Sequence, residues 1–388
     1  MRQRLFALVF LLAVFGVLAL LLPRGAPAPA LAVHMIATEL RNPRGVAVLP
    51  DGRLLVVEAG DGASRTATGG HIRIFADTNR DGDYDDVDER TMVICCVGGY
   101  NSLTRYGTGQ DEVGGLGDVA LLDDGHIFYT QDDPLGSYAP DGSSNGIAIM
   151  GLTPAPEWRR YIVAVRNATT NALVYDPQAR LLYMAESGNN RISSVTLDGD
   201  VTPLVDLPTL AHGQQAVPAG LALDPRTGDV LVALLSGQIR DYLGTVIAYM
   251  PQDARIIRLN PTTREWHDEI VGLTTAVDVA VDEFGNIFTV ELATGWAAAV
   301  IPRDFPLFDP DAPPDAGGYP RFSGRVTMYP TDRGTPIVLA QGLDEPTNIT
   351  YHHGALYVSV GQGTPGRPIM GPDGRTRISG TLHRITGF

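Results

Sequence analysis

GVAVLPDGRLLVVEAG, residues 45–60, is the stretch whose reading decides the fold. An apolar run, an Asp51-Gly52 turn and a second apolar run ending on Glu58 make a strand hairpin. The runs are too short for helices, rich in Val and Leu, and bounded by Gly and Pro. The same pattern recurs as DVALLDDGHIFYTQ (118–131), NALVYDPQARLLYMAESG (171–188), GLALDPRTGDVLVALLSG (220–237), DVAVDEFGNIFTVELATG (278–295) and NITYHHGALYVSVGQG (348–363). Each copy runs on into two further strands, as HIRIF (71–75) and RTMVI (90–94) do in the first. Four strands per repeat, repeated radially, is the pattern of a propeller blade. The last copy has GTLHRI (380–385) as its third strand, and the missing outer strand is available as HMIATEL (34–40). The expectation is an all-β, six-bladed β-propeller of four-stranded blades. It is closed by pairing an N-terminal strand with the C-terminal blade, and residues 33–388 form a single domain.

Composition narrows the function classes. The chain has 388 residues and a net charge of −15, which disfavours nucleic acid as a partner, because that partner needs basic patches to displace counterions. It contains no lysine, so Schiff-base and lysine-base chemistry are excluded. Glycine (44) and proline (28) are spread along the whole length and mark turns rather than a tail. At the N-terminus Arg2 and Arg4 precede an apolar stretch, Leu5 to Leu22, and Ala30-Leu31-Ala32 offers a cleavage pattern. Residues 1–32 read as a secretory signal peptide, with an uncleaved membrane anchor as the alternative. Either places the remainder outside the cytoplasm. Cys95 and Cys96 are adjacent and would point to opposite faces of a strand. They read as two thiols, with a vicinal disulfide open to them in an oxidising compartment.

In a propeller the loops between the second and third strands, and the connections between blades, share one face. Here those loops are long: Asp61–Gly70, Asp132–Asn145, Gly237–Asp253, Leu292–Ser323 and Gln362–Ser379, joined by the connections Val97–Gly117 and Pro208–Pro218. Long insertions on one face of a repeat protein mark the functional side. Two polar columns of the repeat reach toward that face. One opens the inner strands as Gly45, Asp118, Asn171, Gly220, Asp278 and Asn348. The other closes the second strands as Glu58, Gln131, Glu186, Leu234, Glu291 and Ser359. Such groups either ring a hard cation at the channel mouth or cap backbone amides of neighbouring blades. Arg105 and the segment YGTGQDE (106–112) join them, with Arg166, Asn167, Gln214 and Gln215. His212 is the rim histidine and the candidate general base. Asp309, Asp311 and Asp315 offer a further cation loop or plain acidic surface.

On the opposite face lies DTNRDGDYDDVD, residues 77–88. It matches the twelve-residue calcium loop at Asp77, Asn79, Asp81, Gly82 and Asp88, with Asp83 offering its carbonyl and Asp85 acting through water. The last position is Asp where sensor loops have Glu, and strands rather than helices flank it. A structural calcium site is the expectation.

NPRGVAVLPDGRLLVVEAG (42–60), with the stretches Ala216–Gly237 and Gly272–Gly295, resembles the ScyD/ScyE family, which is similar to NHL-repeat propellers and is exported in bacteria. The resemblance implies fold and location; the family has no established activity to carry over. Gluconolactonase-like hydrolases, also six-bladed, hold a divalent ion with acid and amide residues one place before the inner-strand column. Here that place holds Arg44, Gly117, Thr170, Ala219, Val277 and Thr347, with no acid among them. A quinone-dependent sugar dehydrogenase would use a rim His, Arg and Asn, for which His212, Arg105 and Asn171 stand ready, with PQQ as cofactor. The leading reading is an exported, calcium-stabilised binding or scaffold module that takes a ligand, glycan or protein on its long-loop face. The alternative is a metal- or quinone-dependent enzyme, a sugar dehydrogenase or lactonase-like hydrolase, at the mouth of the channel.

Overall fold

The structure is a computed structural model, which describes residues 30–62, 69–106, 110–132, 145–151, 160–165, 169–240, 243–296, 299, 301–302, 304–314 and 317–388. Of these, the side chains of 105–106, 145–151 and 160–164 are not described. The signal segment expected at the N-terminus, with Arg166, Asn167 and Asp315, lies outside those residues.

The strands form six four-stranded antiparallel sheets. The first takes Pro43–Val48, Leu54–Glu58, Gly70–Phe75 and Arg90–Val97. The second takes Leu116–Leu121, His126–Asp132, Asn145–Gly151 and Arg160–Ala164. The third takes Thr170–Asp176, Leu181–Glu186, Arg191–Thr196 and Val201–Asp206. Pro218–Leu223, Val230–Leu234, Ala254–Leu259 and Trp266–Leu273 make the fourth, and Ala276–Val281, Ile287–Glu291, Gly324–Tyr329 and Ile337–Leu343 the fifth. In the sixth, Pro346–His352, Ala355–Val360 and Gly380–Thr386 are joined by Ala32–Leu40, which sets Val33 opposite Ile385 and Leu40 opposite Gly380.

The second strands explain the packing. Leu54–Glu58, Val230–Leu234 and Ile287–Glu291 are buried at every position. A strand covered on one face alternates apolar and polar, whereas these are covered on both by the neighbouring sheets, so apolar residues dominate them at successive positions, with Thr289 and the closing Glu58 and Glu291 as the polar exceptions. Apolar clusters accordingly fill the space between consecutive sheets. Leu55, Val57, Val119 and Tyr129 join the first to the second. Phe128, Leu173 and Met184 join the second to the third. Tyr183, Val232 and Ile257 link third and fourth, Leu231, Ile256 and Val279 link fourth and fifth, and Phe288, Val290 and Val358 link fifth and sixth. Ile36, Leu382, Val56 and Phe75 pack the sixth against the first. Each fully buried aliphatic side chain contributes about 1.5–3 kcal/mol. The protein is a β-propeller.

The acidic loop between Phe75 and Arg90 reaches the outer strand of the sixth sheet. Thr38 donates its backbone N–H (2.8 Å) and its hydroxyl (3.0 Å) to the Asp85 carboxylate. Arg90 pairs with that carboxylate and donates to the Thr38 carbonyl at 3.0 Å. Cys95 and Cys96 are joined by a disulfide, which corrects the expectation of two thiols. Cys96 takes a positive φ of 64° at that point, so the adjacent residues are not held on opposite faces.

Candidate functional site

A cavity of about 470 Å³ opens where the inner strands begin. Arg44, Gly117, Thr170, Ala219, Val277 and Thr347 all line it, which is the column just before the polar one. Asp118, Asn171, Asp278 and Asn348 line it as well, and Asp118, Asp278 and Asn348 also border a cavity of about 300 Å³ on the far side. They therefore form the neck between the two ends of the channel.

At that neck the carboxylates cap backbone. Asp118 accepts from the N–H groups of Val119 at 2.8 Å and of Leu173, in the next sheet, at 3.1 Å. Asp278 does the same with Val279 at 2.9 Å and Ile349 at 2.8 Å, and also accepts from the Asn348 amide at 2.8 Å. Burial raises the Asp118 carboxyl to about 6 against these hydrogen bonds. The Asp278 carboxyl is raised as well, by burial and then by the charge of Asp118. Of the two readings of this column, amide capping is the geometry observed.

The second column does not line the cavity. Glu58 accepts from the Arg41 N–H at 2.8 Å and pairs with Arg73 at 2.6 Å. Glu291 accepts from the Thr274 N–H at 2.8 Å and pairs with Arg325. Glu186 holds Asn189 at 2.9 Å and Ser193. Glu58 and Glu291 brace the approach to the inner strands of their own sheets, and all three glutamates hold the third strands beside them, which corrects the expectation that both columns reach the axis. His212 is also off the cavity. Its Nδ1 bonds Asp253, which accepts from Gln214 at 2.6 Å, and half of its side chain is exposed. As a general base at the channel mouth it is misplaced. Arg105 sits in the short helix Ser102–Tyr106, and its side chain lies outside the described residues.

The connection from Val97 to Gly117 supplies the functional groups that the repeat alignment did not single out. Asp111 accepts from Asn101 at 2.7 Å, from the Thr364 hydroxyl at 2.7 Å and from Arg367 at 2.5 Å, fastening the connection to the loop after Val360. Beside it Glu112 hydrogen-bonds Tyr319; burial raises its carboxyl, while Arg44 opposes that rise. The Arg44 guanidinium is lowered by burial and donates to the Val113 carbonyl at 2.7 Å. Tyr100 bonds Asp132. Of the cavity's charged groups, Arg44 faces Glu112, Asp132 is bonded by Tyr100, and Asp118 and Asp278 are taken up by backbone amides. Gln110 is different: it is 4% exposed, and neither its amide nitrogen nor its oxygen has a hydrogen-bond partner among the described residues. It stands with Tyr319 between the main cavity and a second one of about 340 Å³ that also holds Arg321, Glu345 and Arg367. Arg44 and Gln110 were visible as letters in the sequence, but only their register and loop path bring them to the mouth.

The acidic loop shares some geometry with a calcium loop and departs from it elsewhere. Gly82 has φ +97°, as the calcium loop's sixth position requires. Asp77 accepts from the Gly82 N–H at 3.1 Å and leaves its other oxygen buried without a partner. Asp85, however, is turned to Thr38 and Arg90. Asp88 is exposed, while Glu89 after it is buried and accepts from Thr78 at 2.8 Å. No three carboxylates of the loop come within 4.8 Å of one another. Asp309 caps the Asp311 N–H at 2.9 Å in an exposed turn.

No protein-family model matches the sequence, and no curated protein does. Among solved structures the chain is similar to one in a nidogen/laminin complex, at 14% identity and TM-score 0.50, covering 79% of this chain and 85% of that one. It is similar to a luciferin-regenerating enzyme at 12% identity and TM-score 0.50, covering 92% and 96%. A PQQ-bound aldose sugar dehydrogenase from Streptomyces coelicolor has a TM-score of 0.46 at 15% identity, covering 93% and 100%. At these identities the likeness extends to the β-propeller fold and no further.

Proposed function

We propose that the chain is an exported binding propeller that takes a neutral, hydrogen-bonding small molecule, such as a saccharide or polyol, at the mouth of its channel. The six sheets are read as six blades of one ring, closed by Ala32–Leu40, and the resemblance to the ScyD/ScyE family is kept on the quoted residues. The observation that carries the binding reading is Gln110. A buried amide left unpaired costs about 1–3 kcal/mol, which a ligand hydroxyl or amide entering the cavity would recover. The carboxylates of Glu112, Asp118, Asp132 and Asp278 around the cavity disfavour an anion, and each already has a protein partner, which leaves hydrogen bonding to a neutral guest. An apolar guest would leave Gln110 unsatisfied.

The enzyme reading has less support. The groups that would hold PQQ do not gather, since Asn171 lines the cavity and His212 lies off it, tied to Asp253. The acidic loop fits calcium at Asp77, Asn79, Asp81 and Gly82 and departs from it at Asp85. In this reading a bound ion supplements the hydrogen bonds that hold the loop to the N-terminal strand. Calorimetric titration of the mature chain against mono- and oligosaccharides tests the function. Binding without turnover, weakened about tenfold in Gln110→Ala, is the expected result. Catalytic consumption of a sugar or lactone by the wild type would overturn it. Chelation should lower the melting temperature, and an unchanged melt removes calcium from the account.

A further inference from the structure

At the outer end of the first sheet, away from the channel, His71 meets the cysteine pair. His71 lies opposite Glu58 at the start of the third strand, and Gly70 before it lies opposite Val97, the residue after Cys96. A ring nitrogen of His71 and the two sulfurs fall within 4.8 Å of one another. Among the described residues this is the one such group of three His, Cys, Asp or Glu ligands. His71 Nδ1 is buried and has no hydrogen-bond partner among the described residues. Cys95 is exposed, so a reductant can reach the pair.

We propose that, once reduced, Cys95 and Cys96 join His71 as a three-ligand site for a zinc-type divalent cation, with the fourth position open to solvent. Two sulfurs and one imidazole nitrogen form a donor set for a borderline-soft ion, whereas calcium takes oxygen ligands. Two thiolates on one tetrahedral zinc stand about 3.8 Å apart, given bonds of about 2.3 Å, which lies within the spacing of this cluster. The chemistry balances with a phosphine as reductant. The disulfide gains two electrons and two protons and becomes two thiols, while the phosphine takes oxygen from water and becomes its oxide. The cation then displaces both thiol protons, and the imidazole supplies its lone pair without losing one.

The test uses the mature chain, treated with phosphine and titrated with Zn2+, with the thiolate-to-metal ultraviolet band of Cd2+ as a second readout. One Zn2+ should bind per reduced chain, at least about tenfold more weakly in His71→Ala. That site should be absent from unreduced protein and from the Cys95→Ser, Cys96→Ser double variant. Equal zinc affinity in reduced wild type and double variant would overturn the proposal and place the metal elsewhere, as on the acidic loop. Should the double variant fail to fold, alkylation of reduced wild type decides. Zinc must slow modification of both thiols, and unchanged rates would overturn the proposal.

Discussion

The two halves of the inner-strand column carry the same residues in the same order, Gly45, Asp118, Asn171 and then Gly220, Asp278, Asn348, yet they do not use them alike. In both, the aspartate bonds its own following amide and reaches the inner strand of the next sheet. In both, the glycine before it leaves room for that reach. The asparagines differ. Asn348 turns back and donates to Asp278, which is 5% exposed. Asn171 donates instead to Ser187 at 3.0 Å and stays exposed in the channel. The half built on Asp278 is the more tightly knit. The half built on Asp118 leaves an amide open to the channel. Backbone bracing is the shared task of this column, and only its surplus hydrogen-bonding capacity is left for a ligand.

Removing the aspartates should separate the halves most. Asp278→Ala leaves a buried Ile349 N–H and the Asn348 amide without their acceptor, a loss of about 3 kcal/mol, whereas Asp118→Ala should lose about 2. Urea unfolding of both variants checks this, and equal losses would dissolve the comparison. Next come the glycines. A Cβ at Gly220 would lie 2.4 Å from the Asp278 Cα, and one at Gly45 would lie 2.8 Å from the Asp118 Cα. Gly220→Ala should therefore cost about 3 kcal/mol and Gly45→Ala about 2, because the clash is with backbone atoms of the next sheet, which have little room to yield.

Titration gives a smaller, signed effect. An acid whose folded pKa lies above its unfolded value stabilises the fold most when protonated. The contribution of Asp118 is complete below about pH 4 and is lost as pH rises through about 6. Glu345 behaves likewise. Burial raises it to about 8 even though Arg321 lies 2.8 Å away, because Asp344 and Asp111 add to the rise. Its share is lost as pH climbs from about 4.5 through 8. The urea midpoint of the wild type should fall across that range. Glu345→Gln should flatten the part above pH 6, and Asp118→Asn the part below it.

The hairpins were legible because each strand pair is local and apolar on both faces, so the repeat in residues 45–60 could be found again by pattern alone. The Gly, Asp, Asn order was on the page too, as a column of the alignment. What the column withheld was direction. Whether Glu58 points to the axis or back to Arg73 depends on the rotamer and on which neighbour supplies an unpaired N–H, and these neighbours are distant in sequence. Gln110 was hidden for the same reason. Its place at the mouth depends on Asp111 being fastened to Thr364 and Arg367, about 250 residues away. The acidic loop shows the converse: its spacing was fully visible, but Thr38, on the outer strand of the sheet packed beside it, claims Asp85.

The smallest expected effect sharpens the comparison furthest, because it separates stability from binding. Asn348→Ala removes a buried hydrogen bond to Asp278 and should cost about 1 kcal/mol. Asn171→Ala should cost no more than about 0.5 kcal/mol, since Asn171 is exposed and Ser187 keeps its bond to the Pro218 carbonyl. For a guest in the cavity the order should reverse. Asn171 presents an exposed amide to the channel, while Asn348 has given its donor to Asp278 and keeps only a buried carbonyl oxygen without a partner among the described residues. Calorimetry on a bound saccharide should find the larger loss of affinity in Asn171→Ala, the variant with the smaller loss of stability. If both measurements ranked the two variants in the same order, the asymmetry would be one of packing alone, and the open half would have no special claim on the ligand.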